Sequence, residues 1–345
     1  KKVIDFAAAA STDRSQKLYL RQALGVFGGA YFSQMEEMGL FTYNKHGIQV
    51  ATRELGKRAA NLFANAIGPD VAKLLKKKIA DASVSVRDLE RLSGIAPSEI
   101  EEGSAECELY EMLLFADADA ASENARSRSA SLRLVLETAR AIGESPGPED
   151  VRWHLFNPPA DFLPIELEVQ RLNWEVYNCQ DLMQVAAASL LAWAISLLNS
   201  SDGGLSIPEI RAQVVDDLVS QAETGFARSW REFRSKIDTA KYDFRATWNQ
   251  LTNSRGAPDD KAIAAIQLMA ALHQRTVERP DLAGRVDRSF PARGMAHSLR
   301  TELNWLALKE DQTVIEKIAD YIIERVVRRH SWVAMQKLRR QRDYT

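Results

Sequence analysis

The chain has 345 residues, 46% hydrophobic and 27% charged, and its 45 Lys/Arg against 47 Asp/Glu give a net charge of −2. That length suffices for two or three domains with cores of their own, and the near-neutral balance excludes a uniformly basic nucleic-acid coat while leaving room for local basic patches. Two cysteines, Cys107 and Cys179, are too few for a disulfide framework or a four-cysteine zinc site, and each is expected as a buried thiol on a helix.

Helical periodicity dominates in chain order. Residues 15–38 read as one or two helices. Leu18, Leu24, Phe27, Phe32, Met35 and Met38 are available for their buried face, and Gly25, Gly28 and Gly29 mark a break or a close helix contact. Gly39 fits a helix stop. "LFTY" and "IQVA" then read as short strands around an "NKHG" turn. Thr52 is the expected N-cap of a helix with Leu55, Ala59, Leu62 and Phe63 on one face. Ser85, with Asp88 three residues later, makes a capping-box variant. "AECELYEMLLF" is amphipathic, residues 116–131 read as an exposed connection, and 131–142 is helical again.

Residues 143–164 carry five prolines and two glycines and read as a linker between an N-terminal part, 1–142, and an α-helical part, 165–345. The second part opens with a long helix over 165–198. Its apolar stretch "VAAASLLAWAISLL" is shorter than a membrane span and is expected at the centre of a core. Residues 209–251 read as helical, with Phe226, Trp230, Phe233, Tyr242, Phe244 and Trp248 as core anchors, and 261–277, 298–308 and 312–340 complete this part. The start has no signal-peptide pattern, so the chain is expected in the cytoplasm, away from membranes.

The residues "EEMGL … VATRELGKRAANLF", with Gly39, Leu40, Thr52, Gly56, Lys57 and Ala60 at the matching places, resemble winged-helix domains over residues 17–67 or so. The resemblance implies a mainly α protein: an N-terminal winged-helix-like module with a short β-hairpin, followed by helical bundle domains. It also implies that the hairpin projects beside a duplex, where Lys45, His46, Arg53, Lys57 and Arg58 would contact phosphate without reading bases. From Tyr321 onward seven Lys/Arg face two acids, which makes Arg328, Arg329, Lys337, Arg339 and Arg340 a second candidate phosphate-binding set. The hairpin, the helical body and the terminal "RRHSWVAMQKLRRQRDYT" together resemble helical proteins of bacterial antiphage defence operons.

No P-loop, no G-x-G-x-x-G after a strand and no G-x-S-x-G elbow occurs, and the five histidines are far apart. No catalytic residue, metal ligand or cofactor is therefore assigned. The expected function is that of a non-catalytic subunit binding other protein subunits and double-stranded DNA. Two alternatives stay open. One is a metal-dependent nuclease in which Asp161, Glu166 and Glu168 hold Mg²⁺, although Gln170 stands where such sites customarily carry lysine. The other is a winged-helix transcription regulator acting as a dimer.

Overall fold

The computed structural model describes residues 3–5, 31–81, 83–115, 123–159, 162–199, 203–220, 225–290 and 297–342, with side chains from 31 to 335 of these. The protein is mainly helical, with a short two-stranded antiparallel hairpin near its N-terminus. It divides into two compact units, Lys1–Leu136 and Glu137–Thr345.

In the first unit, β1 (Val3–Asp5) pairs antiparallel with β4 (Ser83–Ser85). Helix α1 (Phe32–Glu37) leads into β2 (Phe41–Tyr43) and β3 (Gln49–Ala51), followed by α2 (Leu55–Ile67) and α3 (Pro69–Asp81). After β4 come α4 (Val86–Arg91) and α5 (Ala105–Leu114), and then α6 (Glu123–Ile142), whose residues up to Leu136 belong to this unit. Gly39, at φ +75°, ends α1. Its N–H bonds Glu36 O at 2.9 Å and the Leu40 N–H bonds Met35 O at 2.9 Å, which closes the helix and aims the chain into β2. Residues Leu18, Leu24, Phe27, Gly25, Gly28 and Gly29 lie outside the described residues.

The strands pair Phe41 with Ala51, Thr42 with Val50 and Tyr43 with Gln49. Asn44 shapes the loop: its Oδ1 accepts from the N–H groups of His46 and Ile48, at 2.9 and 3.0 Å, while Gly47 takes φ +72°. Thr52 ties the hairpin to α2. Its hydroxyl donates to Gly39 O at 2.7 Å and accepts from the Gly56 N–H at 2.9 Å. The helix begins at Leu55, not directly after Thr52 as the sequence implied, because Thr52 binds the chain four residues on. The four residues expected on its inner face are all half-buried.

Gly56 is buried, and a Cβ there would stand 2.2 Å from Leu40 O. Gly56→Ala is therefore expected to destabilise the first unit by about 1–3 kcal/mol, since neither the carbonyl nor the packed helix can move freely. A chemical-denaturation series with Ala60→Gly as a control in the same helix checks this, and a stability unchanged by G56A would contradict it.

Ser85 and Asp88 form the expected capping box. The Ser85 hydroxyl accepts from the Asp88 N–H at 3.2 Å, and the carboxylate accepts from the Ser85 N–H at 3.0 Å. Residues 123–131, expected as connection, are instead the start of α6. Its alternating Ala, Ser and Arg have adequate helix propensity, although they lack the apolar periodicity that marks a helix by eye.

The second unit is built on α8 (Glu168–Asn199), which packs along α12 (Pro258–Glu278). Buried Ala186, Ala194, Ala265, Ala270 and Ala271 let helices approach closely. Around this pair lie α7 (Pro148–Phe156), α9 (Ile207–Ser220), α10 (Trp230–Ser235), α11 (Phe244–Thr252), α13 (Pro280–Ser289) and α14 (Leu299–Ala307). Helix α7 falls within 143–164, and its Trp153, Leu155 and Phe156 are buried. By length and composition alone the helical run Ile165–Asn199 would suffice to cross a membrane. Its buried Arg171, Glu175 and Asn178 and its packing on α12 are features of the unit's central helix.

Residues 209–251 are not one helix. Ser229 and Asp243 each cap a new one, accepting from the Glu232 and Ala246 N–H groups at 3.3 and 2.8 Å. Phe226, Trp230, Phe233 and Phe244 are nonetheless core residues, as their spacing suggested. The last described residues form a continuous helical run: α15 (Val314–Tyr321), a π-helical segment (Ile322–Val327) and α16 (Arg328–Arg342). Cys179 is buried, and burial pushes its thiol up to about 12. Cys107 is half-exposed rather than buried, because it sits on the flank of α5 beside Glu111.

Candidate macromolecular interfaces

In the first unit, Lys45 and His46 stand on the hairpin loop, Arg53 on the link to α2, and Lys57 and Arg58 in the first turn of α2. All five are exposed, and among the described residues none has an ion-pair partner or a side-chain hydrogen bond. The first turn of α2 contains no acid, so two cations sit where the helix dipole is already positive. That arrangement costs about 0.3–1 kcal/mol per charge and concentrates positive potential at one end of the helix. Glu54, the N-cap residue just before it, is an opposing charge.

Three further exposed cations of the first unit were not singled out in the sequence. Lys73, Lys76 and Lys77 are spaced to share one face of α3 and are exposed, whereas Lys78 is engaged by Asp88 at 3.0 Å. The run "KLLKKK" was the available signal. Residues 39–81 carry eight Lys/Arg against three acids, while 83–136 carry five against eleven. The overall balance near zero thus conceals a strongly segregated first unit.

In the second unit, an open groove of about 550 Å³ runs between α8 and the C-terminal helix. Asp181, Val185, Ala188 and Leu191 contribute from α8, and Trp248 from α11. Val326, Arg329, His330 and Val333 recur every three or four residues on the opposite wall. Arg152 stacks over Trp248 at 4.3 Å and meets Asp181 at 3.3 Å, so that acid is already neutralised. Arg328 and Arg329 are exposed and, among the described residues, have no ion-pair partner. Lys337, Arg339 and Arg340 lie on α16, with side chains outside the described residues.

The polar interior of this unit does other work. Glu175 is fully buried and accepts from Arg171 at 2.8 Å, Arg275 at 2.7 Å and Arg279 at 2.6 Å. Burial alone would raise its carboxyl, but Arg275, Arg279 and Arg171 together hold it below the usual carboxylate range. Arg171 also donates to Leu155 O at 3.0 Å and Arg275 to Phe156 O at 2.9 Å, satisfying carbonyls that the end of α7 leaves open. Farther along α12, the Trp230 indole donates to His273 Nδ1 at 3.0 Å, and Arg234 bridges Glu310 at 2.9 Å and Gln274 at 2.6 Å. Of the basic residues interleaved with the aromatics, Arg231 and Lys241 also pair with acids, Arg231 with Glu310 and Lys241 with Asp238.

For the nuclease alternative, both Glu168 oxygens accept from Arg171, at 2.8 and 2.6 Å, so that carboxylate serves as an ion-pair member. Glu166 lies in the short turn Ile165–Leu167, and Asp161 is outside the described residues. Among the described residues no group of three or more His, Cys, Asp or Glu side chains is arranged to hold a metal ion.

No family model, no curated protein and no solved structure matches this chain.

Proposed function

We propose that this protein is a non-catalytic interaction subunit of a bacterial complex. In this reading the hairpin, α2 and α3 lie along the phosphate backbone of duplex DNA, as a wing and its helix would, and the second unit engages protein partners. The observation that carries the reading is the set Lys45, His46, Arg53, Lys57 and Arg58, exposed and without an ion-pair partner among the described residues, together with exposed Lys73, Lys76 and Lys77 on α3. Placing two of them at a helix N-terminus costs stability that a phosphate would return. Helix α1, which would precede the wing, exposes Gln34, Glu36 and Glu37. Those carboxylates favour backbone contact over base reading and so weigh against an operator-reading regulator. The antiphage defence setting is carried by the resemblance alone.

Salt-titrated binding to two unrelated duplexes tests the proposal. Comparable affinity for both is expected, with log K falling against log salt by about 0.9 for each phosphate contacted. Lys57→Glu combined with Arg58→Glu should lower the slope by about 2 and weaken binding to both duplexes alike. Absence of binding at low salt would sink the DNA part, and a strong preference for one duplex would favour the regulator. Degradation of DNA abolished by EDTA and by Glu168→Ala would favour the nuclease.

A further inference from the structure

We infer that the groove between α8 and the C-terminal helix receives an amphipathic helix of a partner protein, one that carries acidic residues beside its apolar face. The inference is independent of DNA binding, because the groove and the hairpin belong to different units.

Three observations carry it. The first is shape. On one wall the lining residues Asp181, Gln184, Val185, Ala188 and Leu191 follow one stripe of a helix over ten residues, or about 15 Å. On the other wall Val326, Arg329, His330 and Val333 form a second such stripe. A trough between two helical stripes, open along its length, fits a third helix whose side chains enter as a ridge. Ala187 and Ala188 on the α8 side leave room for the incoming backbone.

The second is chemistry. Val185, Leu191, Trp248, Val326 and Val333 offer apolar surface that a sugar–phosphate backbone would not use, so this site differs in kind from the cationic face of the first unit.

The third is charge. Asp181 is neutralised by Arg152, whereas Arg329, which lines the opposite wall, is exposed and unpaired among the described residues, and Arg328 precedes it in the chain. The lining therefore carries excess positive charge beside its apolar residues, and an acidic flank on the incoming helix completes it.

The π-helical segment Ile322–Val327 contributes Val326 to this wall and runs directly into the helix that carries Arg329, His330 and Val333, and such segments are frequent at functional sites.

The experiment uses the full chain and a fluorescent model helix of about 16 residues, with leucines at helical spacing and glutamates on the flanks. A twin peptide has lysine for every glutamate. The glutamate peptide is expected to bind roughly tenfold or more tightly than its twin at about 50 mM salt. Ala188 is exposed, so Ala188→Trp should fill the groove without disturbing the core, and it should weaken the glutamate peptide roughly tenfold at an unchanged melting temperature. Arg328→Glu combined with Arg329→Glu should reverse the preference toward the lysine peptide. Equal binding of both peptides, no binding of either at about 1 mM, or indifference to A188W would each overturn the inference. So would competition for the groove by anionic phosphatidylserine vesicles or duplex DNA that A188W abolishes.

Discussion

Replacing Glu175 with glutamine is expected to destabilise the second unit by about 3–5 kcal/mol. The carboxylate has no solvent exposure and receives three guanidinium groups. Glutamine keeps the shape but removes the charge: Arg171 keeps Glu168 and Arg279 keeps Asp281, while Arg275 stays buried with no other acid among the described residues. The damage would spread beyond the ion pairs. Arg275 also lies over the Phe156 ring at 4.5 Å and closes the end of α7, so its displacement loosens the helix that α8 packs against. Guanidinium denaturation of wild type and E175Q measures the effect. Glu168→Gln, at a side chain 40% exposed, is the control and should cost under about 1 kcal/mol. An E175Q midpoint close to that of the control would show that the arginines find other partners cheaply.

The second large effect is expected on acidification. Burial, and then the Arg234 charge, lower His273 from its ordinary 6.5 to about 4. The geometry agrees: an indole N–H can only donate, so Nδ1 must accept, and the proton sits on Nε2. Between pH 6.5 and 4 the unfolded chain binds a proton at this residue that the folded chain refuses. The stability tied to His273 is therefore complete above pH 6.5 and is lost as pH falls toward 4, by at most about 3 kcal/mol. His297 is also held below its ordinary value by burial and the Arg325 charge, so it titrates in the same direction. The decisive quantity is thus the difference between wild type and His273→Gln, which can still accept from Trp230. Stability curves measured from pH 7.5 to about 4.5 should fall less steeply for H273Q, and parallel curves would refute the assignment.

What could be read in the sequence was local. The hairpin, the Asn44 loop, the Ser85 cap and the helix stop at Gly39 each depend on residues within a few positions, where turn and capping chemistry acts. The aromatics from Phe226 to Phe244 were legible as core because their size leaves few other places for them. Glu175 was silent for the opposite reason. Its partner Arg275 is 100 residues away, and no pattern in a single sequence links the two. The breaks within 209–251 were announced by Ser229 and Asp243, but apolar periodicity running across them concealed the caps. On the candidate surfaces the hairpin cations were identified, whereas Lys73, Lys76 and Lys77 were passed over despite their clustering. The groove could not be foreseen, since it exists only where α8, Trp248 and the C-terminal helix converge.

The π-helical segment has a consequence for how the chain tolerates change. An α-helix turns about 100° per residue, so one residue fewer within Ile322–Val327 would rotate everything after it by about that angle. Arg329, His330 and Val333 would swing off their wall while α15 kept its place in the core. Because Ile322, Ile323 and Val326 are themselves core residues, such a deletion would be felt on both sides, which makes this short stretch a phase-setting joint between the part of the helix that is buried and the part that meets its surroundings.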